Sequence, residues 1–207
     1  FATTLWEELD YRAEVRNAER FRELFAYDLG VYIPEIYPDM SADYTITMED
    51  VTAIKITDTA ALDAAGIDRG AAARRMLDVY LRMVFEFGIF HADPHPGNLF
   101  IYPLPEHASR QMFGRSASRS GKRPFYVIFV DFGMVGHITP AVRAGLRELL
   151  ISVTTRDMPR MVKAYEMLGM LLPGADHVLI QSAQADALNY VWGKSTVEVA
   201  QMPRDDM

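Results

Sequence analysis

The chain has 207 residues, half of them apolar, and a formal charge of −7 with a pI near 5.2. That is enough material for one globular domain or slightly more, and the acidic balance excludes the basic footprint of a nucleic-acid binder. There is no cysteine, so disulfides and thiolate metal sites are excluded, and no apolar run reaches membrane-spanning length.

The sequence opens without an initiator Met, inside a stretch that reads as helix; we expect a fragment of a longer protein. Leu5 to Asp28 is rich in Glu, Arg, Ala and Leu and predicts one long helix. Gly30 ends it and Pro34 and Pro38 follow. Tyr44 to Met48 is short and rich in β-branched residues, predicting a strand. A linker with another short apolar stretch, Val51 to Ile56, comes next. Ala60 to Ala65 predicts a small helix closed by Gly66. In Arg69 to Phe87, Met76, Val79, Tyr80, Met83, Val84 and Phe87 recur at helical spacing, with Gly88 as the stop.

Leu99 to Tyr102 and Phe125 to Val130 predict the two strands of a hairpin. Pro103 to Pro124 between them is a polar, basic, low-complexity loop. It carries Arg110, Arg115, Arg119, Lys122 and Arg123 against Glu106. It reads first as a solvated surface loop. A contact with anionic lipid is the sharper alternative, since each basic residue gains about 1 kcal/mol near a negative surface. Beyond it, Thr139 and Pro140 have the residue types of an N-cap and first helical position. Helices are predicted over Ala141 to Thr155, Met158 to Leu171 and Ala175 to Val191, the last two separated by Pro173-Gly174. A few strands and a mostly helical second half give an α+β class.

The chemistry concentrates in "GIFHADPHPGNLFIY", residues 88–102, and "VIFVDFGMVG", residues 127–136. His91-Ala-Asp93 is followed by Asn98, and Asp131-Phe-Gly133 ends an apolar strand. A His-x-Asp-x-x-x-x-Asn loop, then a strand, then Asp-Phe-Gly is the arrangement of kinase-type phosphoryl transfer. Mg²⁺ is a hard cation, suited to the Asp131 carboxylate and the amide oxygen of Asn98. The Asp93 carboxylate can orient an attacking hydroxyl or water and relieve it of a proton. Pro94, Pro96 and Gly97 stiffen the loop, and Gly133 is expected to let the backbone swing away after the metal ligand. His91 reads better as a group bonding backbone around the loop than as a substrate contact, whereas His95 divides evenly between supporting the turn and a role near phosphates.

The wording "FHADPHPGNLF" and "VDFGMVG", with "ELDYRAEVRNAERF" upstream, closely resembles the UbiB family of AarF-type atypical kinase-like proteins, from Glu8 to about Leu171. The resemblance implies a protein-kinase-like fold, here truncated. Its parts would be a long helix-C equivalent, a remnant strand of the N-lobe and a mostly helical C-lobe with a catalytic-loop β-hairpin. The lobes would divide as 1–50 (helix C and hinge strand) and 51–207. The resemblance further implies ATP and Mg²⁺ as cofactors, with Asp93 as the catalytic-loop aspartate and Asn98 and Asp131 as metal ligands. Glu14 would match the helix-C glutamate that pairs with a nucleotide-binding lysine. Glu8 and Asp10 would match an E-x-D motif near the phosphates, and Met48-Glu49 the hinge whose backbone meets adenine. It implies an atypical kinase-like ATPase or phosphotransferase supporting biosynthesis of isoprenoid quinones, of the ubiquinone type, or related lipids. Its partners would be an isoprenoid lipid or quinone precursor, a membrane surface and quinone-biosynthesis proteins. The full-length protein would be cytoplasmic, peripheral to or anchored at the membrane.

The residues also carry plainer readings. Arg12, Arg16 and Arg20 line up with Glu8, Glu19 and Glu23, and a solvated, charge-laced helix needs no active site. No glycine precedes Gly30 and the first lysine is Lys55, so the phosphate-covering parts of a kinase are missing and the polypeptide alone is expected to be nearly inactive. Too few residues separate Gly133 from Thr139 for a peptide-docking activation segment, which favours a small or lipid substrate over a protein. Two other functions fit the pattern: a catalytically silent, nucleotide-binding scaffold of a membrane-associated biosynthetic complex, and a small-molecule phosphotransferase.

Overall fold

The computed structural model describes residues 11–105 and 123–192. Its α+β chain divides into two compact units, Phe1–His137 and Ile138–Met207. In the first unit, helix α1 spans Tyr11–Leu24 and buries Ala18 and Phe21 on one face. It stops short of the expected Asp28, because residues 25–30 turn and the Asp28 carboxylate accepts from Gly30 N at 2.9 Å. Strand β1 (Val31–Tyr32) follows, then a short 3₁₀ turn at Pro38–Met40.

The strand expected at Tyr44–Met48 does not form. Residues 35–49 fold back on themselves through isolated bridges, Ile36 to Met48 and Ala42 to Thr45. Hydroxyls take over what ladder bonds would do: Ser41 Oγ accepts from Thr47 N at 2.9 Å, and Thr47 Oγ1 donates to Met40 O at 2.6 Å. The short apolar stretch after it supplies strand β2 (Ile54–Lys55).

Helices α2 (Thr59–Ala64) and α3 (Arg69–Arg82) start at Asp58 and Asp68, whose carboxylates cap them. α3 continues as a π-helical turn, Met83–Phe87, and stops at Gly88, where φ is +70°. Then come β3 (Ile89–His91), a 3₁₀ turn at Pro96–Asn98, and the expected hairpin, β4 (Leu99–Pro103) and β5 (Phe125–Phe129). The basic insertion lies mostly outside the described residues. Strand β6 is Val135–His137.

The strands form a four-stranded sheet in the order β1-β5-β4-β2 and a two-stranded β3-β6 pair. β1 runs parallel to β5; the other pairings are antiparallel. The core lies between the sheet, α1 and α3: Phe21, Val79, Met83, Ile101, Val127 and Phe129 are essentially inaccessible. Asp28 ion-pairs with both Arg75 and Arg82 of α3, tying the segment after α1 to that helix. The Arg82 guanidinium also lies over the Phe25 and Phe87 rings, at 5.6 and 5.2 Å.

The second unit holds α4 (Pro140–Thr155), α5 (Met158–Met167) and α6 (His177–Val191). Thr139, Asp157 and Asp176 cap them with their side chains. α5 ends at Met167 and not Leu171, because the chain leaves the helix through Gly169 at φ +68°. Met161 and Val162 are buried, and Glu148 of α4 accepts from Arg160 of α5 at 2.6 and 3.2 Å. No helix among the described residues is long and apolar enough to cross a membrane.

Candidate active site

The hairpin register explains how distant residues meet. Leu99 pairs with Phe129, so Asn98 and Val130 are next to each other at the end of the ladder. Val130 N donates to Asn98 O at 3.1 Å, extending the pairing one step. Asp131 is the residue beyond. On the other side, Ala92 N donates to Met134 O at 3.0 Å, which draws the loop after β3 to the segment after Asp131.

Three predicted residues converge there. The Asn98 Nδ2 amide donates to Asp93 Oδ2 and to Asp131 Oδ2, each at 3.2 Å. The loop that presents Asn98 is braced locally: Asn98 N donates to His95 O at 2.9 Å, and His95 Nδ1 accepts from Gly97 N at 3.0 Å. His95 therefore supports the turn in this structure. His91 is buried, 1% exposed, with Nε2 3.4 Å from Val130 O and its ring against Phe129 and Phe132. It braces the strand that ends at Asp131, the backbone-bonding role read from its position.

The unusual backbone is at Asp131, where φ is +66°; Gly133, expected to supply that freedom, is not among the positive-φ glycines. Asp is one of the few side chains that visit this region at modest cost. Its Oδ1 accepts from Gly133 N at 3.2 Å, which stabilises the turn and leaves Oδ2 to Asn98.

Helix α1 holds the same segment. Glu14 Oε1 accepts from Phe132 N at 3.2 Å, and Asn17 Nδ2 donates to Phe132 O at 2.9 Å. One turn of helix thus grips both polar groups of Phe132, whose buried ring packs 5.1 Å from Phe21. Burial, then the nearby Asp131 charge, push the Glu14 carboxyl above its ordinary value, with the Phe132 N–H pulling the other way. Asn17 was not anticipated, although its place three residues after Glu14 puts it on the same face.

Met48 and Glu49 make their contacts elsewhere. Met48 is half-buried in its bridge to Ile36. Glu49 accepts from the Tyr32 hydroxyl at 2.5 Å and from Glu35 N at 3.2 Å. Glu8 and Asp10 lie outside the described residues. Tyr80 of α3 is a residue the sequence did not suggest: its hydroxyl is buried without a partner among the described residues, and burial, then the Asp93 charge, push it up to about 12.

The donor set suits a hard divalent cation held jointly with a ligand. No group of three or more His, Asp or Glu side chains forms a metal cage among the described residues. One carboxylate and one amide oxygen leave most coordination positions to phosphate and water, as Mg²⁺ prefers.

Residues 1–165 match the family model of the ABC1 atypical kinase-like domain. The chain is 34% identical over 188 residues to Arabidopsis thaliana Protein ACTIVITY OF BC1 COMPLEX KINASE 8, chloroplastic, covering 91% of this chain and 22% of that protein. It is 33% identical to the uncharacterised protein slr1919 of Synechocystis sp., over 94% of this chain and 31% of that protein. It is 30% identical to a probable protein kinase UbiB of Cellvibrio japonicus, over 89% of this chain and 30% of that protein. The chain therefore spans less than a third of the length of these relatives. A solved structure, the Rv3197–erythromycin complex from Mycobacterium tuberculosis, superposes with a TM-score of 0.54 over 82% of this chain and 38% of that one. At 19% identity that likeness speaks of the fold.

Proposed function

We propose that this chain, which belongs to the ABC1 atypical kinase-like family, contributes the catalytic loop and metal-holding residues of an Mg-ATP site. The single observation that carries the reading is the Asn98 amide shared between Asp93 and Asp131. In this reading Mg²⁺ would be held by Asp131 and by Asn98, whose amide would turn to present Oδ1 in place of Nδ2, and the backbone of Met48-Glu49 would meet the adenine. When bound, the cation neutralises charge on the phosphate oxygens. Asp93 orients the attacking hydroxyl or water and accepts its proton. Glu14 and Asn17 fix the Phe132 peptide and so the direction in which Asp131 points. Glu14 is also the residue to meet a nucleotide-binding lysine of the full-length protein, with Glu8 and Asp10 near the phosphates.

The full-length protein is read as an atypical kinase-like ATPase or phosphotransferase that supports isoprenoid-quinone or related lipid biosynthesis. Its partners would be an isoprenoid or phenolic quinone precursor, a membrane surface and other biosynthetic proteins. What supports this is the family membership together with the absence of room for a peptide-docking segment between Gly133 and Thr139.

The test is Mg²⁺-dependent ATP hydrolysis by the full-length protein, with and without a phenolic quinone precursor and vesicles containing anionic lipid. Asp131→Asn is the informative variant, because Asn also tolerates positive φ and the fold is kept. It is expected to lose hydrolysis by on the order of 100-fold or more. Unchanged hydrolysis would reject the metal assignment, and nucleotide binding without turnover in the wild type would mark a scaffold.

A further inference from the structure

A second hollow lies on the same hairpin, away from the aspartates. It encloses about 410 Å³, and three tyrosines from three strands line it: Tyr32 of β1, Tyr102 of β4 and Tyr126 of β5. Tyr102 and Tyr126 are directly opposite each other in the ladder, and Tyr32 is paired with Ile128, which also lines the hollow. The Tyr32 and Tyr126 rings are 5.9 Å apart. Residues 49–52 close one side and put Glu49 and Asp50 among the lining residues. Among the described residues no lysine, arginine or histidine lines it.

The hollow is displaced from the Asn98 cluster. Its tyrosine on β4 is four positions beyond Asn98, roughly 13 Å along a strand. Phe100, the residue between them on that face, is not part of its lining. The neighbouring hollow of about 230 Å³ shares Tyr32 and Tyr126, and Arg22 is among its lining residues and not among those of the larger hollow. Arg22 is 3.5 Å from Glu35. The hydrogen bond to Glu49, then burial and that carboxylate's charge, push the Tyr32 hydroxyl up to about 12. It remains a donor at neutral pH and pins Glu49 in the wall.

We propose that this tyrosine-lined hollow binds an organic cation, an alkylammonium group seated against the aromatic rings with Glu49 and Asp50 supplying the counter-charge. Aromatic rings attract a weakly hydrated cation, and the effect grows as the site is shielded from water. An anion gains nothing from a wall whose charged members, among the described residues, are two acidic ones. A volume of this size is within the range of small-molecule sites. The proposal stands apart from the nucleotide reading: it uses the Glu49 side chain, whereas the hinge reading uses backbone.

The test titrates the full-length protein with choline and with its neutral isostere, 3,3-dimethyl-1-butanol, followed by saturation-transfer NMR. Choline is expected to bind about tenfold more tightly than the neutral alcohol. Tyr102→Leu and Tyr126→Leu, checked for folding by circular dichroism, should each weaken choline several-fold and leave ADP affinity unchanged. Tyr102 is 41% exposed, so its replacement leaves the core intact. Equal binding of the two probes, indifference to both substitutions, or displacement of choline by Mg-ADP overturns the proposal. Failure of ADP to bind at all would strike the nucleotide reading and leave the choline comparison standing.

Discussion

Asp131 combines a positive φ of 66° with a carboxylate 3.2 Å from the Asn98 amide, so backbone conformation and side-chain chemistry are set together. Glu14 offers the sharper test at this scale. Its carboxyl sits above its ordinary value because burial and Asp131 disfavour the charge. The folded state therefore binds that proton more tightly than the unfolded chain. Stability from this group is greatest at low pH and falls as pH rises through the folded value. Glu14→Gln keeps an acceptor for Phe132 N and removes the charge. We expect its Tm to exceed that of the wild type at pH 7, with the difference shrinking toward pH 4, measured by thermal denaturation across that range. That Asp93, Asn98 and Asp131 would come together was legible in the sequence, because their types and spacing follow the catalytic-loop pattern. The burial of Glu14 was not: on a helix with so many charges, only the partner surface shows which carboxylate faces inward.

At the scale of elements, two small features carry much of the architecture. Gly136 pairs with Phe90, and a Cβ there would stand 2.3 Å from the ring. Gly136→Ala must push that ring aside and loosen the β3-β6 pair, costing about 1–3 kcal/mol in urea denaturation. Asp28 is 6% exposed and pairs with two arginines, 25% and 31% exposed, each of which also holds an exposed acidic partner of its own, Asp78 and Glu86. Asp28→Asn leaves both without their shared counter-charge. Because the arginines reach solvent, we expect about 2–3 kcal/mol in the same measurement, below the cost for a fully buried pair. Long helices and the hairpin were readable from periodicity and from Gly and Pro stops. Two-residue strands such as Val31–Tyr32 were not, since nothing local distinguishes them; pairing with Val127 and Ile128 makes them strands. The expected strand at Tyr44–Met48 failed for the converse reason: its hydroxyl-bearing residues had nearer partners than a neighbouring strand.

For the molecule as a whole, the proposed pair of protein ligands predicts how metal and nucleotide would act on stability. With one carboxylate and one amide to offer, Mg²⁺ alone should move the Tm by no more than about 1 °C at millimolar concentration. Mg-ATP, which brings its own oxygens, should raise it measurably in the full-length protein. A large shift with Mg²⁺ alone would mean a cage that the described residues do not form. The class of fold and the family were legible from the wording of two short segments. The tyrosine hollow was not, because its three rings come from strands whose neighbours are set by the sheet order.

The grip of α1 on Phe132 spans 115 and 118 residues of sequence. Closing so long a loop gains no native contact until most of the chain is in place, which makes such pairings late events in folding. The β4-β5 hairpin and the individual helices can form on their own clock, whereas the Asp131 turn is locked only when α1 packs against it. On a ribosome, the Asp131 turn would stay unlocked until Phe132 has cleared the exit tunnel, so the Asn98 cluster is completed long after α1 has been made.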